Sequence, residues 1–476
     1  MVVFISIFAL VPCFWLPRIE AGDLGSHSYN AWLTSLVQQG NAPGLWISPQ
    51  HNNILFDVLL LHCGSLVGFA VGERIAVCIA LLVFLWGSFW LVSAVGGRPA
   101  WFLLPLLIML SYGWTFHMGF FNFYLSLGLS FGALAIFWRA RGFGYVYVLP
   151  FLPLIWLAHP LGLAWSAVMA GYVFLSKLLQ ARWHWLLAGT ALACIIPIRI
   201  YLSRHYQVLW WQGHYYDLLG TDQIALGEAY RFLALTLVLA VVGCFAFHVV
   251  QMRTLGMRDI HFFPLPLQLY LVSFLSILLL PDAIWLPQYH EPISFISSRF
   301  TLAIATIGCC ALTSLRPRIL FGLLSCGIAL AYFALVYQSA AKTYAMEKQA
   351  EVLVARVPQN SRIMSTIYPF RGFRVFVHHV ADRACIGRCF NVDNYEPASA
   401  AFRLRANPLN RIVTASMEDS NHMMLGDYIV RPEDLPLWQI FQCGPTEVDL
   451  CLRPVHPGSL LNISRNEIQR ARELGH

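Results

Sequence analysis

Long apolar runs alternate with short polar loops over the first 340 residues of the chain. About 20 consecutive apolar residues cross a bilayer as an α-helix, so these runs are candidate membrane spans. There are about eleven of them: 1–17, 74–95, 101–113, 121–138, 144–158, 161–179, 185–202, 232–250, 264–281, 301–315 and 319–338. The pattern predicts a polytopic α-helical membrane protein. Its 58% hydrophobic and 12% charged residues exclude an ordinary soluble domain.

The apolar run 54–72 differs from the others because it contains Asp57 and His62. If it crossed the membrane, every later loop would change sides, and the basic segments 138–142 and 316–318 would lie outside. We therefore predict a re-entrant or juxtamembrane helix in the outer leaflet. Nine basic residues in short loops then face the cytoplasm, as the positive-inside rule expects: Arg98, Arg139, Arg141, Lys177, Arg182, Arg253, Arg258, Arg316 and Arg318.

In this arrangement the larger loops share the outer face: 18–53, 203–231 and 282–300. The last span also delivers the C-terminal region outside. There the composition changes to 16 Lys and Arg with 14 Asp and Glu in residues 339–476. We predict a transmembrane domain over 1–340, with its first outer loop at 18–73, and a small extracytoplasmic α/β domain over 341–476.

The C-terminal region has strand-like segments at 362–368, 373–380 and 427–432. It also contains two local cysteine pairs: Cys385 with Cys389, and Cys443 with Cys451. Outside the cytoplasm these pairs predict two disulfides. Zinc binding is the alternative, although neither spacing is typical of a zinc site.

Just after the first apolar run, the chain places Asp23 and His27 before an amphipathic stretch. Trp32, Leu33, Leu36 and Val37 fall on one face of that stretch, which predicts a helix lying along the membrane surface with its apolar side in lipid. Asp23 then has two interpretations: it caps this helix, or it acts as a general base on an acceptor hydroxyl. The histidine is placed to contact a phosphate or to share a proton.

Other polar side chains recur in loops on the predicted outer face, where polar groups near a membrane are often paired or functional. We predict seven further substrate-binding residues: His51, Asn52, Asn53, Asp57, His117, Asn122 and His159. We predict four residues that bind a donor phosphate: Arg204, His290, Glu291 and Arg299. The alternatives are structural hydrogen bonds for the first set and interfacial anchoring for the arginines.

Several common functions lack their sequence signals. The chain has no P-loop, no GxGxxG motif after a strand, no HExxH and no GxSxG, and its basic residues are scattered although the net charge is +7. Scattered basic residues argue against a nucleic-acid partner. An outer-loop DxD motif is also absent, so a metal-bound nucleotide sugar has no support.

The segment GDLGSHSYNAW at residues 22–32 resembles the first-loop acid motif of the GT-C glycosyltransferase superfamily, which includes protein O-mannosyltransferases and aminoarabinose transferases. The likeness covers 1–340 as architecture and about 20–60 as local sequence. In that group a second acid often stands beside the first, whereas here Leu24 follows Asp23.

The resemblance implies an integral membrane enzyme of the cell envelope, in a bacterial inner membrane with its C-terminal domain periplasmic. It would perform inverting transfer from a polyprenyl-phosphate sugar donor to a glycan, lipid or protein acceptor, with Asp23 as base. No cofactor is implied, because the lipid phosphate already activates the sugar, and a divalent metal is left open. The alternative functions are a lipid-linked saccharide transporter or flippase and a catalytically inactive scaffold.

Overall fold

The computed structural model describes residues 1–210, 220–254, 264–315, 318–443 and 446–458. Within these residues, fifteen α-helices precede the C-terminal domain: α1 (Val2–Leu10), α2 (Leu24–Gln38), α3 (Leu55–Val67), α4 (Phe69–Val95), α5 (Leu104–Ser111), α6 (Trp114–His117), α7 (Phe121–Arg139), α8 (Phe151–Ala158), α9 (Pro160–Leu178), α10 (His184–Ala193), α11 (Ile195–His205), α12 (Glu228–Thr254), α13 (Leu265–Ile277), α14 (Ile296–Leu312) and α15 (Arg318–Val354). Every apolar run predicted from the sequence therefore contains helix.

Within the described residues, six helical segments are long and apolar enough to cross a membrane, judged by length and composition: 69–95, 121–139, 160–178, 181–205, 228–254 and 318–354. Six further apolar helices have 10 to 17 residues. The fold is thus that of a helical membrane protein. The count of about eleven spans stays a prediction, as does the side on which each loop lies. The predicted sides of Arg258 and Arg316 fall outside the described residues.

The run 54–72 is divided between two helices. α3 ends at Val67, Gly68 turns with a φ of 84°, and α4 begins at Phe69. At 1.5 Å per residue the 13 residues of α3 extend about 20 Å, less than a 30 Å hydrocarbon core. α3 folds back on α4 so closely that a Cβ atom on Gly72 would lie 2.4 Å from the backbone nitrogen of Gly64. That the run 54–72 does not cross the membrane stays a prediction, because no membrane boundary is defined by these helices.

α2 is not the lipid-facing helix that its amphipathic pattern predicted. Leu33 is fully buried, and Trp32, Leu36 and Val37 pack against the core of the C-terminal domain. The indole of Trp32 stacks on Phe390, with ring centroids 5.9 Å apart. The expectation was wrong because periodicity shows that a face is apolar, but it does not distinguish lipid from another part of the protein.

The C-terminal domain is α/β, as predicted. Strands β1 (Leu45–Ile47), β2 (Gln207–Trp210) and β3 (Pro281–Trp285) precede it along the chain. Its four-stranded sheet has the order β5 (Cys389–Asn391), β4 (Ser361–Thr366), β7 (Leu437–Gln442) and β8 (Leu450–Pro454), in which only the β7–β8 pair is antiparallel. The strands and helices described there are β4 (Ser361–Thr366), α16 (Asp382–Cys385), β5 (Cys389–Asn391), α17 (Glu396–Ser399), β6 (Leu404–Ala406), α18 (Met417–Leu425), β7 (Leu437–Gln442) and β8 (Leu450–Pro454). The strand prediction was right for 362–366. It was wrong for 373–380 and 427–432, which form no strand.

Both predicted disulfides are present. The Cα atoms of Cys385 and Cys389 are 4.5 Å apart, and those of Cys443 and Cys451 are 5.8 Å apart. These separations lie in the range that a disulfide requires. The zinc alternative is thereby excluded for both pairs.

Besides the packing of α2, three further features join the C-terminal domain to the preceding region. The short strand β1 (Leu45–Ile47) of the first loop pairs with β6. α15 continues to Val354, so the predicted boundary at 340 lies inside a helix. The third feature is a buried ion cluster in which Arg383 of α16 donates to Glu73 of α4 at 2.9 Å and to Glu347 of α15 at 2.6 Å. These contacts hold the domain against the helix ends.

Candidate active-site cavity

A cavity of about 530 Å³ lies between the first loop, the N-terminal ends of three helices and the C-terminal domain. The helices are α7, α9 and α14, which begin at Phe121, Pro160 and Ile296. The polar and titratable residues that line the cavity come from both domains: Asp23, His27, Gln50, Asn52, Asn53, Asn122, His159, Tyr289, Glu291, Ser294, Arg299, His378, His379, Tyr395 and Asn421. Asp23, His27 and Arg299, three residues singled out from the sequence, therefore share one cavity.

Asp23 sits at the N-cap position of α2, yet its carboxylate makes no capping hydrogen bond. Its backbone N–H donates to the carbonyl of Met118 at 3.0 Å. Gly119 allows this approach, because a Cβ atom there would lie 2.6 Å from the nitrogen of Asp23. Of the two sequence interpretations, the geometry thus favours a carboxylate directed into the cavity over a helix cap.

Burial raises the pKa of Asp23 above its ordinary value, while His379, His27 and Arg299 oppose that rise. The closest cation is His379, whose Nε2 lies 3.8 Å from Oδ1 of Asp23. An ionised carboxylate that lines a cavity in this way can accept a proton from a bound hydroxyl group.

His27 is paired with Asp57, with Nδ1 2.8 Å from Oδ1. Glu396 lies 3.9 Å from the same nitrogen. Burial alone would lower the pKa of His27, but Asp57, Glu396 and Asp23 together raise it to about 10. The imidazole is therefore charged at neutral pH and acts as a fixed cation. This charge suits it to binding an anion but not to accepting a proton.

Asn122 fixes the partner of His27. Its Nδ2 donates to Oδ2 of Asp57 at 2.9 Å and to the carbonyl of Asn53 at 3.2 Å, while its Oδ1 accepts from the N–H of Phe56 at 2.8 Å. Asp57 itself lines a small cavity of about 30 Å³ beside the main one. These contacts position Asp57 and the start of α3, and Asn53 and Asn122 also line the main cavity.

The guanidinium of Arg299 lies 3.9 Å above the ring centroid of Phe120. Its Nε is buried without a hydrogen bond, and it forms no ion pair with any described residue. The nearby N-termini of α7, α9 and α14 present partial positive charge. An arginine with a buried, unpaired Nε beside helix N-termini is an arrangement that binds phosphate or another anion.

Glu291, which the sequence analysis predicts to bind the donor phosphate, also lines the cavity. Burial, together with Glu396 and Asp23, raises the pKa of Glu291 to about 8. At neutral pH this side chain is therefore mostly protonated, and it can donate a hydrogen bond to an anion or a sugar hydroxyl.

Of the remaining predicted site residues, some line the cavity and others do not. His159 lines the cavity while its Nδ1 accepts from the N–H of Leu161, which caps α9. His117 lines a separate small cavity. His51, Arg204 and His290 are exposed and outside the cavity lining. The structure does not bring these three to the site, since loop position alone does not set the direction of a side chain.

The sequence interpretation missed the contribution of the C-terminal domain. His378, His379 and Tyr395 line the cavity, and so does one face of α18 with Met417, Asn421, Met424 and Leu425. The adjacent histidines His378 and His379 are a usable signal, because two imidazoles stand together near the end of the mostly apolar segment 373–380. The strand prediction for this segment assigns its side chains to a sheet and so hides that signal.

Within the described residues, no group of three His, Cys, Asp or Glu side chains is arranged to hold a metal ion. Comparisons with protein families, with curated proteins and with solved structures found no match to this chain. The fold therefore establishes a helical membrane protein with a small C-terminal sheet domain, and the chemistry of the cavity is the remaining guide to function.

Proposed function

We propose that this protein is a membrane glycosyltransferase that moves a sugar from a polyprenyl-phosphate donor to an acceptor hydroxyl, with inversion at the anomeric carbon. One observation carries the proposal. A single cavity contains both a largely enclosed carboxylate, Asp23, and the guanidinium of Arg299, which forms no ion pair with any residue in the described part of the chain. Transfer from a phosphate-activated sugar requires one group of each kind.

In this mechanism Arg299 and the helix N-termini hold the donor phosphate. The acceptor oxygen attacks the anomeric carbon while Asp23 takes the hydroxyl proton. The bond between that carbon and the phosphate oxygen breaks, and the polyprenyl phosphate leaves with its negative charge balanced by Arg299.

The cavity also has the right size and character for a sugar. A volume of about 530 Å³ falls in the range of small-molecule sites. Phe120, Phe295, Phe376 and Tyr395 supply aromatic faces, and Asn52 and Asn53 supply amides. The apolar helices next to it would keep the polyprenyl chain in lipid while the phosphate reaches the arginine.

The test uses the full chain in nanodiscs with a panel of radiolabelled undecaprenyl-phosphate sugars. Asp23→Asn should abolish transfer and leave binding of undecaprenyl phosphate within about twofold. Arg299→Ala should weaken that binding about 10- to 100-fold, because a charge-assisted contact contributes about 1.5–3 kcal/mol. Arg204→Ala is the matched control, because this arginine is exposed and outside the cavity.

The proposal is refuted if the wild-type chain transfers no sugar from any donor in the panel and Arg299→Ala binds undecaprenyl phosphate as the wild type does. If the protein is instead a transporter, it should move the donor across the bilayer unchanged. Asp23→Asn should then have no effect on hydrolysis of the donor or on transfer of its sugar.

A further inference from the structure

The C-terminal domain places a histidine–aspartate pair against Asp23. Nδ1 of His379 donates to Oδ2 of Asp382 at 3.0 Å, and the other oxygen of Asp382 accepts from the side-chain amide of Asn391. Asp382 is fully buried. Because the pair holds the ring from its Nδ1 side, Nε2 is left facing Oδ1 of Asp23 at 3.8 Å.

We propose that His379, held by Asp382, is the positioning residue for Asp23, and that it keeps the Asp23 carboxylate ionised and oriented toward the cavity. The inference rests on the proposed role of Asp23 as general base. It assigns to the C-terminal domain a direct part in the chemistry, since without that domain the base would lack its nearest cation.

The surroundings of Asp23 explain why such a cation is needed. Burial disfavours the charged carboxylate, and a base that is protonated at neutral pH cannot accept a proton. The other charged or titratable groups that face it are His27, Glu291, Arg299, Asp382, Tyr395 and Glu396. Among the described residues, only His379 lies within ion-pair distance of Asp23.

The other two cations are committed elsewhere. His27 is balanced by Asp57 at 2.8 Å and Glu396 at 3.9 Å. Arg299 stacks on Phe120 and is assigned to the donor phosphate. Burial would lower the pKa of His379, but the hydrogen bond and charge of Asp382, with Asp23 and Glu396, raise it to about 9. The imidazole therefore stays protonated over the range in which the base must be ionised.

The experiment follows protonation of Asp23 directly, without substrate. The full chain in nanodiscs is titrated by infrared spectroscopy, and the band of the protonated Asp23 carboxyl is assigned by its loss in Asp23→Asn. In His379→Gln the midpoint of that band should rise by about 1–3 pH units, because an opposite charge at this distance shifts a carboxyl pKa by that amount. Glutamine keeps a hydrogen-bond donor near the position of Nε2 but removes the charge.

Asp382→Asn is the second variant, chosen because it is isosteric. It should move the midpoint in the same direction by weakening the protonation of His379, even if His379→Gln does not fold. His422→Gln is the matched control, since His422 of α18 forms a similar pair with Asp427 at 2.7 Å outside the cavity. Its midpoint should equal that of the wild type.

An unchanged Asp23 midpoint in the folded variants overturns the inference, whatever their thermal stability. A purely structural role would lower Tm without moving the midpoint. Because the titration needs no donor, its result is independent of whether sugar transfer is observed. If transfer is observed, the acidic limb of the kcat profile should move with the infrared midpoint.

Discussion

Arg383 offers the sharpest test of how the C-terminal domain is held on the helices. Its guanidinium donates to Glu73 at 2.9 Å, to Glu347 at 2.6 Å and to the carbonyl of Ile19 at 2.7 Å. The side chain is only 3% exposed. Arg383→Met keeps most of the apolar volume but leaves two buried carboxylates without this partner.

Removing one partner of a buried ion pair costs about 3–5 kcal/mol, because the remaining charge stays desolvated. For a cooperative unit of about 200 residues, this corresponds to a loss of roughly 6–20 °C in Tm. Arg431 provides the matched control. It forms a two-point contact with Asp419 at 2.8 and 3.0 Å in the same domain, but its side chain is 51% exposed. Arg431→Met should cost no more than about 1 kcal/mol.

The assay is thermal unfolding of the full chain in detergent, followed by tryptophan fluorescence. Adding Glu73→Gln and Glu347→Gln to Arg383→Met should restore part of the lost stability, since the unpaired charges are then removed. Equal losses of Tm in the Arg383 and Arg431 variants would refute the reasoning, because burial would then make no difference to the stability that an ion pair contributes.

Three further outcomes follow from the structure. Because the folded pKa of His27 is about 10, above its ordinary 6.5, its pair with Asp57 stabilises the fold fully below about pH 6.5 and loses this effect as the pH rises through 10. The Tm difference between wild type and His27→Gln should therefore shrink over that window, and a constant difference would contradict the pairing. Thiol labelling of the denatured, unreduced chain should modify eight of its twelve cysteines. Mass spectrometry should find the Cys385–Cys389 and Cys443–Cys451 disulfides, and labelling of all twelve cysteines would contradict both. A single cysteine at the exposed position Arg98 should react with a membrane-impermeant reagent from the cytoplasmic side, and one at the exposed position Ala345 should react from the outer side. Reaction of both from the same side would overturn the predicted topology.

Much of the helical framework could be predicted from the chain, because a backbone in lipid must satisfy its hydrogen bonds within each segment. The apolar runs therefore marked helices such as α7 and α9 to within a few residues. The breaks between helices were harder to predict from the sequence. Gly68 divides the run 54–72 into α3 and the start of α4, and a glycine in an apolar stretch gives no sign of whether the chain turns there.

The candidate site was predictable only in part. Asp23 stood out because an acid follows directly after an apolar run, and Arg299 because a cation opens a helix. The exposed Arg204 had the same kind of position and lies outside the cavity. A loop residue can point in many directions, and only packing selects one.

The sequence alone determined what each segment needs locally: helices where the chain is apolar, two disulfides where cysteines are close neighbours, and an amphipathic face on α2. The tertiary structure decided which distant residues each of these segments contacts. It buried that face against the C-terminal sheet, and it brought His379 to Asp23 across more than 350 positions of the chain. Periodicity and spacing report contacts between near neighbours, whereas a cavity built from both domains depends on long-range packing that no local pattern encodes.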